Sequence, residues 1–183
     1  ECPILFLKPT SALVPSGGAV VIPTVSKAVH HEVELVIVMG RICRQVTEAN
    51  VPHCVAGYAL GLDMTARDLQ SEAKQKGLPW SVAKGFDTFA PIGPVLPADE
   101  FPDPSTFSFA LHVNGALRQN AECARMLFSI SEIIAYASRI FTLEPGDLIY
   151  TGTPKGVAAV SAGDRLVATG PPLVALEIDV IAA

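Results

Sequence analysis

The 183-residue sequence has no apolar run approaching the roughly 18 residues that a membrane-spanning helix needs, which argues against a helical membrane protein. Basic residues are scarce. Thirteen Lys and Arg against 18 Asp and Glu leave a net charge of −5, so there is no positive footprint for nucleic acid. Only four cysteines occur, Cys2, Cys43, Cys54 and Cys123, and none are spaced as C-x-x-C. A structural zinc is therefore not expected, and reduced thiols inside the cell are the expected state, with nothing to choose between mitochondrion and cytoplasm. Repeats, low-complexity segments and linker-like stretches are missing too, so residues 1–183 read as one domain. An initial methionine is also lacking. Because the chain opens on Glu1 and Cys2-Pro3-Ile4-Leu5-Phe6-Leu7 already reads as core, an incomplete or processed chain is expected, with any targeting signal upstream. The partners that remain are small molecules or protein.

What is present is apolar and turn-rich: half of the residues are hydrophobic, with 15 Pro and 14 Gly spread along the chain, enough for a sizeable core. Short runs rich in β-branched residues, "ILFL", "AVVIP", "VELVIVMG" and "CVAGYALGLD", predict strands up to about residue 64. "TARDLQSEAKQKG" predicts a helix with Thr65 as N-cap and Gly77 and Pro79 as its stop. Asn114-Gly115 after "TFSFALHV" is a strong hairpin signal. Ser129 and Glu132 form a capping box ahead of Ile130, Ile133, Ile134, Ala137 and Phe141, spaced for one buried helical face. Turns at Pro145-Gly146-Asp147 and Ala162-Gly163-Asp164 return the tail to strands. The class implied is α+β and β-rich.

"HHEVELVIVMG", residues 30–40, carries two carboxylates in a run that otherwise reads as a buried strand. The strand period of two puts Glu32 and Glu34 on one face, roughly 7 Å apart along the chain. Burying two like charges is costly unless something positive lies between them. Asp63, at a strand end just before a helix, offers a third carboxylate. Three carboxylates suit a hard cation, Mg²⁺ first, with Mn²⁺ or Ca²⁺ as competitors. A plainer reading stays open, in which the glutamates face solvent and Asp63 caps the helix. His30 and His31 fit hydrogen-bonded core roles better than ligand roles.

Arg67 and Gln70 lie three apart and share a helix face. Lys84 stands in the apolar, glycine-containing run "SVAKGFDTFAPIGP", where an ammonium would serve against an anionic substrate. Thr151-Gly152-Thr153-Pro154-Lys155-Gly156 could present backbone N–H groups to a carboxylate. It lacks the spacing of a phosphate-binding P-loop.

Taken in order, "HHEVELVIVMG", "GYALGLDMTARDLQ", "KGFDTFAPIGP" and "LEPGDLIYTGTPKGV" resemble the fumarylacetoacetate hydrolase family, in particular its short acylpyruvase and oxaloacetate decarboxylase members. The resemblance spans nearly the whole chain. It implies a mixed β-roll or sandwich with a few short helices, and a homodimer. It also implies metal ligands at Glu32, Glu34 and Asp63, a catalytic Lys84, and substrate contacts at Arg67, Gln70 and Thr153. The implied reaction is cleavage of a C–C bond in a 3-acylpyruvate, or decarboxylation of oxaloacetate, through a pyruvate enolate stabilised by the cation. Isomerisation or decarboxylation of dicarboxylic 2-oxo acids, and a silent metal-binding scaffold, are the alternatives. One family feature has no match in the sequence, a lid carrying a His–Glu pair that activates water. It is expected to precede Glu1.

Overall fold

The computed structural model describes residues 2–183. Two mixed sheets pack face to face. In the first, the strand order is Leu13–Pro15, Ala90–Ile92, Val55–Leu62, Val33–Met39 and Leu148–Tyr150, with Leu96–Pro97 also on Val55–Leu62. In the second, it is Ala116–Glu122, Ser108–Val113, Arg165–Gly170, Leu173–Ala182 and Ala19–Ile22. Alternation decides which face is buried: Phe109, Leu111 and Val113 point inward along one strand, and Leu176, Ile178 and Val180 along another. They meet Leu35, Ile37, Leu60 and Leu62 of the first sheet in one hydrophobic core. The strand Val33–Met39 is buried on nearly every residue, which explains why its sequence is a continuous apolar run broken only by a carboxylate. A third, small sheet joins Ala158–Ala159, Val29–His31 and Thr65–Ala66.

Among the described residues, three α-helices flank the sheets: α1 (Arg67–Lys76), α2 (Ser81–Lys84) and α3 (Ile130–Ile140). Helix α1 stops where expected, since Gly77 takes a left-handed φ of 65° that a β-carbon would disfavour. Its start differs from the expectation. Ala66 occupies the N-cap, and Thr65 is still in a strand, because its hydroxyl is drawn to Glu32 at 3.1 Å instead of to the helix N–H groups. The Ser129 capping box of α3 is present in both directions, and Ile133, Ile134 and Ala137 are buried beneath it. Phe141, placed on the same face by spacing, is partly exposed because the helix ends at Ile140. Asn114 and Gly115 form the two-residue hairpin turn, both with positive φ.

Two further expectations are corrected. "ILFL" forms no strand and is not core: Ile4 is 75% exposed and Leu7 66%. The segment pairs with no sheet edge, and only Leu5 packs on the core while Phe6 leans on Trp80. The thiols are not all reduced either. Cys43 and Cys54 form a disulfide, and Cys2 and Cys123 are free. The pair is eleven positions apart in sequence, but the chain folds back with Gly40 N–H bonded to the Cys54 carbonyl at 2.7 Å, a tertiary contact that no C-x-x-C spacing announces.

Gly61 lies opposite Glu34 across the central ladder, and the Tyr150 ring packs where a side chain would be. A β-carbon there would run into Val36 and stand 2.6 Å from Tyr150 Cε1. Gly61→Ala is expected to destabilise the protein by about 1–3 kcal/mol through overpacking, read as a lower urea midpoint at unchanged m-value. An unaltered midpoint would show that Tyr150 moves aside freely.

Candidate metal centre

The site forms where the central strand pair changes sheets. Val33 pairs with Leu62 in the first sheet, whereas His30 pairs with Thr65 in the small one. Glu32 and Asp63 occupy the fork between these pairings, joined by the Asp63 N–H to the Glu32 carbonyl at 2.9 Å. Glu34 follows on the same face. All three carboxylates are buried, and oxygens from the three lie within 4.8 Å of one another. They sit in an open cleft of about 1660 Å³, which Arg67, Gln70, Lys84 and Thr153 also line.

Three basic groups face the three acids. Lys84 Nζ bridges Glu32 Oε2, at 3.1 Å, and Asp63 Oδ2. The Arg67 guanidinium pairs with Glu32 Oε1, and Lys8 Nζ lies 2.7 Å from Asp63 Oδ1. That last contact has the distance of an ion pair without hydrogen-bond alignment, so Asp63 Oδ1 accepts no hydrogen bond. Burial works against ionising Glu32, but Lys84 and Arg67 outweigh it and hold the carboxyl below its ordinary range. Glu34 has no such partner. Burial first, then the charge of Asp63, push it up to about 8, and the Gly152 N–H bond at 2.7 Å offsets only part of this. An all-oxygen donor set, one buried oxygen without a hydrogen bond and one carboxyl pushed toward protonation by burial and its acidic neighbours fit a hard divalent cation.

The other residues singled out in the sequence converge on the same cleft. Arg67 donates to Gln70 Oε1 at 2.6 Å, so the two act as one unit on α1. The Thr151–Gly156 turn does present an N–H to a carboxylate, and that carboxylate is Glu34. Thr153 Oγ1 donates to the Val33 carbonyl at 2.9 Å. His30 and His31 lie outside the carboxylate group; His31 Nδ1 meets Gln119 Oε1 at 2.9 Å, and burial lowers the pKa of both imidazoles. Two residues were missed. Lys8 donates to the carbonyls of Met64, Lys84 and Phe89 as well as pairing with Asp63, and a lone lysine in "ILFLKP" is the same signal that pointed to Lys84. Gln119, on the hairpin strand, had no signal in sequence.

The fumarylacetoacetate (FAA) hydrolase C-terminal family matches residues 1–181. The chain belongs to the fumarylacetoacetate hydrolase family. Within that family, the mitochondrial oxaloacetate tautomerase of Bos taurus is 52% identical over 164 residues, 90% of this chain and 74% of that protein. The crystal structure of fumarylpyruvate hydrolase from Pseudomonas aeruginosa, in complex with Mn²⁺ and pyruvate, has a TM-score of 0.96 at 38% identity, over 100% of this chain and 80% of that one. The 5-carboxymethyl-2-hydroxymuconate delta-isomerase of Mycobacterium smegmatis has a TM-score of 0.92 at 37% identity, over 100% and 70% of the two chains. The fold expected from the family resemblance is thus the fold observed.

Glu34 makes the metal-free protein sensitive to pH. Its folded pKa of about 8 exceeds the ordinary 4.5, so the folded state holds a proton that the unfolded chain has released, and stability falls as pH rises through this window. His30 and His31, lowered from 6.5, have the opposite slope in the acid part of that range, so the Glu34 slope is read above pH 6.5, where buried Lys8, its pKa lowered by burial, is the group that works against it. Chelator-treated protein is expected to lose melting temperature between pH 6.5 and about 8, and saturating Mn²⁺ to abolish the slope by keeping Glu34 ionised. Identical slopes with and without Mn²⁺ would remove Glu34 from the site.

Proposed function

We propose that this chain is a divalent-metal-dependent enzyme of small 2-oxo acids, cleaving the C–C bond of 3-acylpyruvates or decarboxylating oxaloacetate. The observation that carries the reading is the buried trio Glu32, Glu34 and Asp63, with Lys84 inserted between two of its members. Glu32, Glu34 and Asp63 would hold Mg²⁺ or Mn²⁺, which when bound supplies a Lewis acid for the oxygens of the 2-oxo acid. Pyruvate and Mn²⁺ in the Pseudomonas aeruginosa relative support both ligand classes. An intracellular site of action is supported by the mitochondrial relatives.

The protein's own groups then have distinct work. Lys84, buried and held by two carboxylates, neutralises the negative charge that grows on the pyruvate oxygen as the C–C bond breaks. Arg67 and Gln70 bind a substrate carboxylate from α1, and Thr153 borders it from the opposite side of the cleft. With Glu34 ionised by a bound cation, the three acids balance Lys8, Lys84 and Arg67, so a divalent cation would leave the cluster a surplus of two positive charges. A dianion matches that surplus, which favours oxaloacetate and other dicarboxylic 2-oxo acids over singly charged acylpyruvates in the ground state.

The 52% identity to an oxaloacetate tautomerase favours a second reading, in which the site moves a proton between carbon and oxygen of oxaloacetate without breaking a C–C bond. The cleft also runs on from the carboxylates over Leu117, Leu127 and Phe141, farther than a small acid needs, and a second copy of the chain would cover this apolar side as a homodimer. Light scattering is expected to give twice the 19.3 kDa chain mass, and a monomer at micromolar concentration would refute the dimer.

A screen with Mg²⁺ or Mn²⁺ against oxaloacetate, acetylpyruvate and a dicarboxylic enol acid tests the function. Pyruvate release separates lyase or hydrolase from tautomerase, and no turnover of any of them overturns the reading. Lys84→Met is expected to lower kcat by roughly 10²–10³, about 2.7–4 kcal/mol, with cation affinity unchanged or slightly tighter. Unchanged kcat would return Lys84 to a purely structural part.

A further inference from the structure

The buried polar groups left over from this chemistry centre on Gln119. It sits on the hairpin strand at a register shift, flanked by the exposed Arg118 and Asn120, and is itself only 1% exposed. The irregularity turns one polar side chain inward among three separate pieces of the site. All four hydrogen-bonding positions of its amide are used. Oε1 accepts from the Val33 N–H at 3.0 Å and meets His31 Nδ1 at 2.9 Å. Nε2 donates to Thr153 Oγ1 at 2.8 Å and to the Pro154 carbonyl at 3.0 Å.

These partners orient one another. The Pro154 carbonyl can only accept, so the NH₂ end must face the turn and Oε1 must face the strand. His31 then carries its proton on Nδ1, and Thr153 must spend its hydroxyl proton on the Val33 carbonyl. The backbone of the turn is equally close, since a β-carbon on Gly156, at a φ of 103°, would collide with the Arg118 carbonyl. One residue before Thr153, the Gly152 N–H bonds Glu34.

We infer that Gln119 is a positioning residue for the metal centre: by clamping Thr153 and Pro154 onto the strand through Val33, it holds the Gly152 N–H against Glu34 and so sets that carboxylate's aim. This rests on the metal-centre reading above. Groups that orient a ligand carboxylate in this way typically account for a factor of about 10–100 in metal affinity.

Mn²⁺ titration by calorimetry on the intact protein tests it, with melting temperature and steady-state kinetics on oxaloacetate alongside. Wild-type protein that binds no Mn²⁺ sinks the metal centre itself. If wild type binds, Gln119→Met, which keeps the length of the side chain and removes its four bonds, is expected to bind Mn²⁺ about 10–100-fold more weakly. Thr153→Val, which cuts the clamp from the other side, is expected to weaken Mn²⁺ in the same direction, and the double variant to lose less than the two losses combined. A buried glutamine with a merely structural part would lower the melting temperature and leave Mn²⁺ affinity at the wild-type value, which overturns the inference. Should Gln119→Met not fold, Thr153→Val decides alone, and unchanged Mn²⁺ affinity in it is equally fatal.

Discussion

Three carboxylates buried within a few ångströms of one another cannot stay ionised unless positive charge is brought to them, and much of the local structure answers that constraint. Lys84 arrives from a four-residue helix, Arg67 from the first turn of α1, and Lys8 from an irregular segment that has little other anchorage. Each serves a different oxygen. Among the described residues, Glu34 alone of the three receives no cationic side chain, only a backbone N–H, and is the member whose charge is supported least. A divalent ion would supply what that carboxylate lacks.

The fold provides for this by splitting a strand pair. Up to Val33 and Leu62 the ladder belongs to the large sheet; beyond it, His30 and Thr65 pair in the small one. At the fork, Glu32 and Asp63 bring their carboxylates to a common point, and the Asp63 N–H to Glu32 carbonyl bond joins the two strands between the two ladders. The two sheets close on one apolar core, and the carboxylates lie in the open cleft beside it.

Lys8 and Gln119 show how far support for the site reaches. Lys8 gathers three carbonyls and one carboxylate around a single ammonium, tying the N-terminal segment to Asp63 and to the short helix that carries Lys84. Gln119 does the same from the opposite side, joining the second sheet to the strand of Glu34. Relatives named as a hydrolase, an isomerase and a tautomerase share this one scaffold, on which helices and an irregular segment as well as the sheets bring groups to the carboxylates.

Local pattern determined a good deal of this. Three of the four β-branched runs, the Asn114-Gly115 turn, the Ser129 capping box and the Gly77 stop act through neighbours in the chain, and these formed as read. The E-x-E spacing on an apolar strand marked two carboxylates, and the four ordered motifs marked the family and its fold. Long-range partners decided the rest. Thr65 left its capping position for Glu32, Cys43 met Cys54 through a folded-back loop, and "ILFL" found no strand edge to join. Lys8 carried the same lone-lysine signal as Lys84, but only the structure showed which groups it meets, and Gln119 carried no period or spacing at all. Their importance lies in the groups that tertiary packing brings around them, where low dielectric and lack of water make each polar contact count.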